Sequence, residues 1–153
     1  MIVASQAELL LKNLSAAEGE ELTFDQQGDC SLISPEQRLI HIHYNAELGE
    51  IQLYGVVGEL PEDESLSHAL LRNFMINNFM WLDSLGSTFA LEPENNYIIL
   101  QKIYNDNEPN DKSFRIAIDK FDFELGYWME RFLSLPGEIE EEAEENSLGM
   151  LSV

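Results

Sequence analysis

The sequence predicts an α+β fold: a helix, a three-stranded antiparallel meander, a second helix, two more strands and a third helix. Three observations carry that expectation. Apolar residues recur at helical spacing near both ends of the chain and alternate at strand spacing in between, and short turn signals rather than helices join the first three strands. A length of 153 residues fits one domain with a tail, and 44% hydrophobic with 10% aromatic residues is ample material for a core.

Val3, Ala7, Leu10 and Leu14 step by four, three and four, which predicts a helix over 2–17 that ends near Gly19. Leu22-Thr23-Phe24 is β-prone, Gln27-Gly28-Asp29 turns the chain and Cys30-Ser31-Leu32-Ile33 resumes it, so the first strand is expected to carry a turn or bulge. After the Ser34-Pro35-Glu36 turn, Ile40, Ile42 and Tyr44 alternate with Leu39, His41 and His43 in a second strand over 38–44. Hairpin chemistry over 45–49 leads to a third strand over 50–57, with Ile51 and Leu53 on one face and Tyr54 and Val56 on the other. The acidic run Glu62-Asp63-Glu64-Ser65 suits a helix N-terminus, and the second helix is expected over about 65–82, its apolar residues covering most of the circumference. Leu85-Gly86-Ser87 breaks it; strands follow over 88–91 and 97–104, joined by a turn over 92–96. Phe114, Ile118, Phe121, Leu125, Trp128 and Phe132 then mark an amphipathic third helix. From Pro136 onward six of the eight residues 138–145 are glutamate, which predicts a domain over 1–135 and a mobile acidic tail over 136–153.

Eight Lys and Arg against 29 Asp and Glu give a net charge of −21, a field that repels phosphate backbones and anionic bilayers, so neither nucleic acid nor membrane is expected as a partner. The single cysteine, Cys30, forms no intrachain disulfide, which is the pattern of a reducing compartment. With no signal peptide and no long apolar run, the cytoplasm is the expected location.

Catalytic chemistry is sparse. His41 and His43, two residues apart on a strand, share a face, but two ligands are an incomplete metal site. His68 has no adjacent nucleophile motif, and Cys30 no signature of an activated thiol. Asp106, Glu108, Asn110 and Asp111 gather oxygens without the central glycine or closing glutamate of a calcium loop. Gly55-Val56-Val57-Gly58 lacks the Lys-Ser or Lys-Thr of a phosphate loop and instead suits a bend at a strand end. No enzyme activity, metal or cofactor is expected. The acidic excess admits three readings: mimicry of nucleic acid toward a DNA-binding protein, a solubilising shell around a sticky surface, or a solvated surface alone. The apolar surplus points to contacts. Both sheet faces carry hydrophobic residues, and the second helix is either a central core helix or a dimer surface.

Three segments in order, Phe24-Asp25-Gln26-Gln27-Gly28-Asp29-Cys30-Ser31-Leu32, Ile51-Gln52-Leu53-Tyr54-Gly55-Val56-Val57-Gly58-Glu59-Leu60-Pro61 and Thr88-Phe89-Ala90-Leu91, resemble the class I type III secretion chaperones, the Tir-chaperone-like family. The resemblance covers about residues 1–133 and leaves the tail out. It implies a cytoplasmic homodimer of a Gram-negative bacterium, without catalysis or cofactor, that wraps the N-terminal segment of a secreted effector in extended form and delivers it to the secretion apparatus, with the secretion ATPase as a further candidate partner. It would place Leu70, Phe74, Ile76, Phe79, Thr88, Phe89, Ala90 and Leu91 at the two-fold axis, and Leu10, Leu14, Leu32, Ile40, Ile42 and Leu53 against the effector. Strand addition at a sheet edge, with alternate apolar side chains in grooves, is a physical mode that tolerates varied clients. The competing classes are an acidic inhibitor of a nucleic-acid-binding protein and, last, an enzyme built on His41 and His43.

Overall fold

A computed structural model describes residues 1–81 and 83–151, with side chains through Gly149. Its elements are α1 (Ala4–Glu18), β1 (Asp29–Ile33), β2 (Leu39–Asn45), β3 (Glu50–Glu59), α2 (Glu64–Asn78), the single 3-10 turn Phe79–Trp81, β4 (Thr88–Glu92), β5 (Tyr97–Tyr104) and α3 (Asp111–Leu151). The five strands form one antiparallel sheet in the order β1-β2-β3-β5-β4, so the α+β class and the element order expected from the sequence both hold.

All three helices lie on one face of the sheet. The alternation of β3 puts Ile51, Leu53 and Val57 toward them, and the register carries the same face across Ile42 opposite Leu53 and Tyr104 opposite Ile51. Ala7, Leu10, Leu11 and Leu14 of α1 and Phe114, Ile118, Phe121, Leu125 and Trp128 of α3 close over it, each by the three-and-four spacing that gathers residues onto one side of a helix. Two glycines let α3 come close. A Cβ on Gly55 would stand 2.5 Å from Leu125 Cδ2, and one on Gly58 would stand 2.5 Å from Phe132 Cδ1, so a bare backbone is the floor on which α3 rests. The register shift between Val56 and Gly58 bulges the strand there, in line with the bend read from Gly55-Val56-Val57-Gly58.

Two long-range ion pairs fasten α3 to the sheet and its turns. Arg38, on the β1–β2 turn, grips Asp122 of α3 with both Nε–Oδ1 (2.9 Å) and Nη2–Oδ2 (3.0 Å), passing over Gly126, where any side chain would collide with the guanidinium. Lys102 of β5 donates to the buried carboxylate of Glu124 at 3.0 Å.

The structure departs from the sequence expectation in three places. Residues 22–24 are not strand: the Leu22 amide donates to Ser15 Oγ at the end of α1, and the Asp25 carboxylate accepts from the Gln27 and Asp29 amides to make a turn. The second helix stops at Asn78, and its expected last residue, Leu82, lies outside the described residues, as do residues 152–153 of the expected tail. The third helix does not end before Pro136. It continues to Leu151 because Leu135 is buried and Ile139 packs on the core, anchoring the chain on both sides of the proline, while Arg131 Nη1 reaches Glu138 Oε1 at 2.7 Å across it. Glutamate and alanine, the residues that dominate 138–145, are themselves good helix formers.

Candidate functional site

The exposed apolar surface gathers where α2 ends. Asp63 caps the helix by accepting the Leu66 amide at 2.9 Å, and Leu70 and Phe74, one turn apart, bury themselves on α3 and β4. Phe74 meets Phe89 at a centroid distance of 4.7 Å, with Trp128 and Phe132 at 6.2 and 6.1 Å. The opposite side of the helix and the turn after it point outward: Met75, Ile76, Phe79 (71% exposed), Met80 (73%) and Trp81. Met80 and Trp81 both take positive φ, 56° and 50°, a conformation that costs free energy for such side chains and reverses the chain sharply at this tip.

Below the tip a buried polar network fixes the returning loop. Ser84 Oγ donates to the Ser87 carbonyl, Ser87 Oγ donates to Glu124 Oε2, and Lys102 Nζ donates both to Glu124 and, at 3.1 Å, to the Leu85 carbonyl. The result is that Leu85, 72% exposed, is held out by bonds running to β5 and α3. Large apolar side chains are thus displayed on an anchored loop, the kind of exposed patch that commonly marks a contact surface.

This geometry divides the residues expected at the two-fold axis. Ile76, Phe79 and Leu91 are exposed and Thr88 and Ala90 half-buried, whereas Leu70, Phe74 and Phe89 belong to the protomer's own core. The second helix is therefore not a central core helix; only Leu70 and Phe74 of α2 are buried. The six residues expected against an effector are all buried: Leu10 and Leu14 on the inner side of α1, and Leu32, Ile40, Ile42 and Leu53 on the strands. Leu32 nevertheless reaches the wall of a surface cleft at the end of β1. The exposed apolar residues of that region, which the sequence reading missed, are Leu9 of α1, Ile33 of β1 and Leu39 of β2. Ile33 lines a cleft of about 330 Å³ between the end of α1 and the end of β1, together with Glu18, Glu20, Leu32, Ser34, Pro35 and Gln37. The cleft thus sets apolar side chains beside two carboxylates.

The sheet face away from the helices carries the polar and aromatic residues that the sequence had flagged for chemistry. His41 stacks on Tyr54 at 4.6 Å and shares a hydrogen bond of 2.8 Å between Nδ1 and Ser31 Oγ; His43 Nδ1 lies 2.8 Å from Asp29 Oδ1. Each histidine is thus engaged with a residue of β1. Among the described residues no group of three or more His, Cys, Asp or Glu side chains is placed to hold a metal. Burial lowers the pKa of His41 and raises that of the Cys30 thiol, the reverse of what an activated thiol needs. The oxygen-rich loop before α3 is a turn and a cap: Asp106 Oδ1 accepts the Glu108 amide, a bond that lowers its pKa, and Asn110 Oδ1 accepts the Ser113 amide.

One opening helix, a meander, a helix crossing to a β-hairpin and a closing helix is the architecture of type III secretion chaperones. The fold matches a chain of the ExsC–ExsE complex (TM-score 0.70, 19% identity, covering 85% of this chain and 96% of that one) and a chain of the HopA1–SchA chaperone–effector complex (0.62, 14%, 85% and 96%). It also matches a chain of the complex between the Yersinia pestis type III secretion chaperone SycH and a stable fragment of YscM2 (0.57, 15%, 80% and 98%). At these identities the likeness is one of fold. No curated protein matches the sequence. The sequence itself places the chain more narrowly: the model of the Tir chaperone protein (CesT) family matches residues 9–121, and the chain belongs to that family.

Proposed function

We propose that this protein is a type III secretion chaperone, without catalytic activity, that works in the cytoplasm of a Gram-negative bacterium as a homodimer. It binds the N-terminal chaperone-binding segment of one or more secreted effectors, keeps that segment soluble and extended, and hands it to the secretion apparatus, with the secretion ATPase as the receiving partner. Membership of the Tir chaperone family over residues 9–121 is the observation that carries this reading. Two features support it in kind: the α2 tip displays an anchored apolar surface suited to a second copy, and the α1–β1 region offers a mixed cleft, with Leu32, Ile33 and Pro35 beside Glu18 and Glu20, next to an edge strand. The charge of −21 keeps such surfaces in solution before a partner covers them.

Native mass spectrometry of the tagged protein, isolated from its own cells under secretion-inducing conditions, tests the proposal. Two copies of this chain with one copy of a larger secreted protein is the expected species. A complex with a nucleic-acid-binding protein instead, or a metal-loaded monomer, would overturn it. The dimer surface is tested separately with Phe79→Asp, which puts a charge at an exposed position and is expected to give folded monomers; an unchanged dimer mass would move the interface elsewhere.

A further inference from the structure

A sheet of five strands has two edges, and an uncovered edge is a row of amides and carbonyls ready to pair with any extended chain. Here the edges are β1 and β4, and they are dressed differently. On β4, Asn78, the last residue of α2, lays its carboxamide along Phe89: Nδ2 donates to the Phe89 carbonyl at 3.0 Å and Oδ1 accepts the Phe89 amide at 2.7 Å. Both backbone groups of one residue in an antiparallel strand point the same way, so Phe89 faces outward from β5 and the next outward residue is Leu91. The side-chain amide thus stands where the peptide group of an added strand would stand. Beyond Leu91 the strand closes off, since the Glu92 carboxylate folds back to accept the Glu94 and Asn95 amides.

On β1 the outward residues are Asp29, Ser31 and Ile33. Asp29 is taken by Asp25, whose carboxylate accepts the Asp29 amide and whose own amide donates to the Asp29 carbonyl, both at 2.9 Å. Ser31 and Ile33 follow, and among the described residues the one contact made to their backbone outside the ladder is the Cys30 thiol, 3.9 Å from the Ser31 carbonyl. One edge therefore keeps two successive outward peptides and the other keeps one, beside a plug.

We infer that Asn78 is an edge lock: its carboxamide closes β4 to strand addition, so that copies of this chain cannot join sheet to sheet through β4 and an extended partner is left with β1 over Ser31 and Ile33. A second copy docking on the α2 tip then meets side chains and not an open ladder. The lock itself does not depend on the chaperone reading, and its test uses no client.

The test compares wild type with Asn78→Ala by native mass spectrometry across protein concentration and by amide exchange at Phe89. The expected result is faster exchange at Phe89 and a several-fold larger fraction of species above the wild-type mass, growing with concentration. Adding Leu91→Pro should return the distribution to that of wild type, because proline at an outward position removes an edge amide without touching the ladder to β5. If Asn78 only tethers α2, the variant loses stability and gains no mass; a folded Asn78→Ala with the wild-type distribution overturns the inference. Should Asn78→Ala fail to fold, Asn78→Ser, too short to reach both groups of Phe89, is read by the same two outcomes.

Discussion

Phe74 and Phe79 are the same residue type five positions apart, and the structure predicts that they fail in different ways. Phe74 is 2% exposed and wedged among Phe89, Trp128 and Phe132, so truncation to alanine leaves a ring-sized void between α2, β4 and α3. Replacing a buried aromatic in such a setting costs about 3 to 5 kcal/mol. With a urea m-value of about 2 kcal/mol per molar for a chain of this size, the unfolding midpoint should fall by about 2 M. Phe79, 71% exposed, has little to lose inside the protomer, and Phe79→Ala should change intrinsic stability by less than about 0.5 kcal/mol. The assay is urea unfolding followed by far-UV circular dichroism at several protein concentrations, because association adds a concentration-dependent contribution that must be separated from the protomer's own stability. Phe79→Ala should weaken only that contribution. Equal midpoint losses for both variants, or a Phe74→Ala loss below about 0.5 M, would refute the assignment of Phe74 to the core and Phe79 to the surface.

Gly55→Ala should destabilise by about 1 to 3 kcal/mol, since its methyl group would stand 2.5 Å from Leu125 inside a packed layer; thermal unfolding measures it. Arg38→Ala should cost about 1 to 3 kcal/mol by leaving the Asp122 carboxylate, 12% exposed, without its bidentate partner, and a double-mutant cycle with Asp122→Asn should recover most of that as a coupling energy. Burial depresses the pKa of His41 in the folded protein, so the unfolded chain takes up the proton first as pH falls through about 6.5. The stability that neutral His41 contributes is present above that pH and is lost below it, and His41→Gln should flatten the decline between about pH 7 and pH 5 in urea titrations at fixed pH. Removing residues 141–153 should leave the unfolding midpoint within about 0.5 kcal/mol of wild type while reducing the helical signal, because 141–149 touch no core.

The elements that could be read in advance are those whose signal is local. The three-and-four stripe of α3 from Phe114 to Phe132 and the alternation in β2 and β3 belong to single segments, and each reappears as the buried side of its element. What escaped depends on partners far away in the chain. Nothing near Pro136 announces that Leu135 and Ile139 pack on the core and carry the helix through. Arg38 and Asp122 are 84 residues apart, and Asn78 meets Phe89 across a chain reversal made by residues with positive φ. The contact surfaces show the same limit. Leu10, Leu14, Leu32, Ile40, Ile42 and Leu53 read as candidate client contacts, but which face the helices cover is decided by where α3 lies, and Gly55 and Gly58 state that only after the register is known. The same holds for α2, where a helix apolar around most of its circumference says nothing about which side is inside.

The reach of α3 past the fold separates two properties that a compact acidic protein would have to balance against each other. Residues 140–151 extend the helix by about 18 Å at the usual rise, more than twice the screening length of about 8 Å at physiological salt. Its charges, Glu140 to Glu145, occupy only the first half of that reach, about 9 Å of helix and so about one screening length beyond Ile139, and residues 146–149 that follow are uncharged. Glutamates placed at the exposed positions 146–148 would carry charge more than one screening length out and raise colloidal repulsion without straining the protomer.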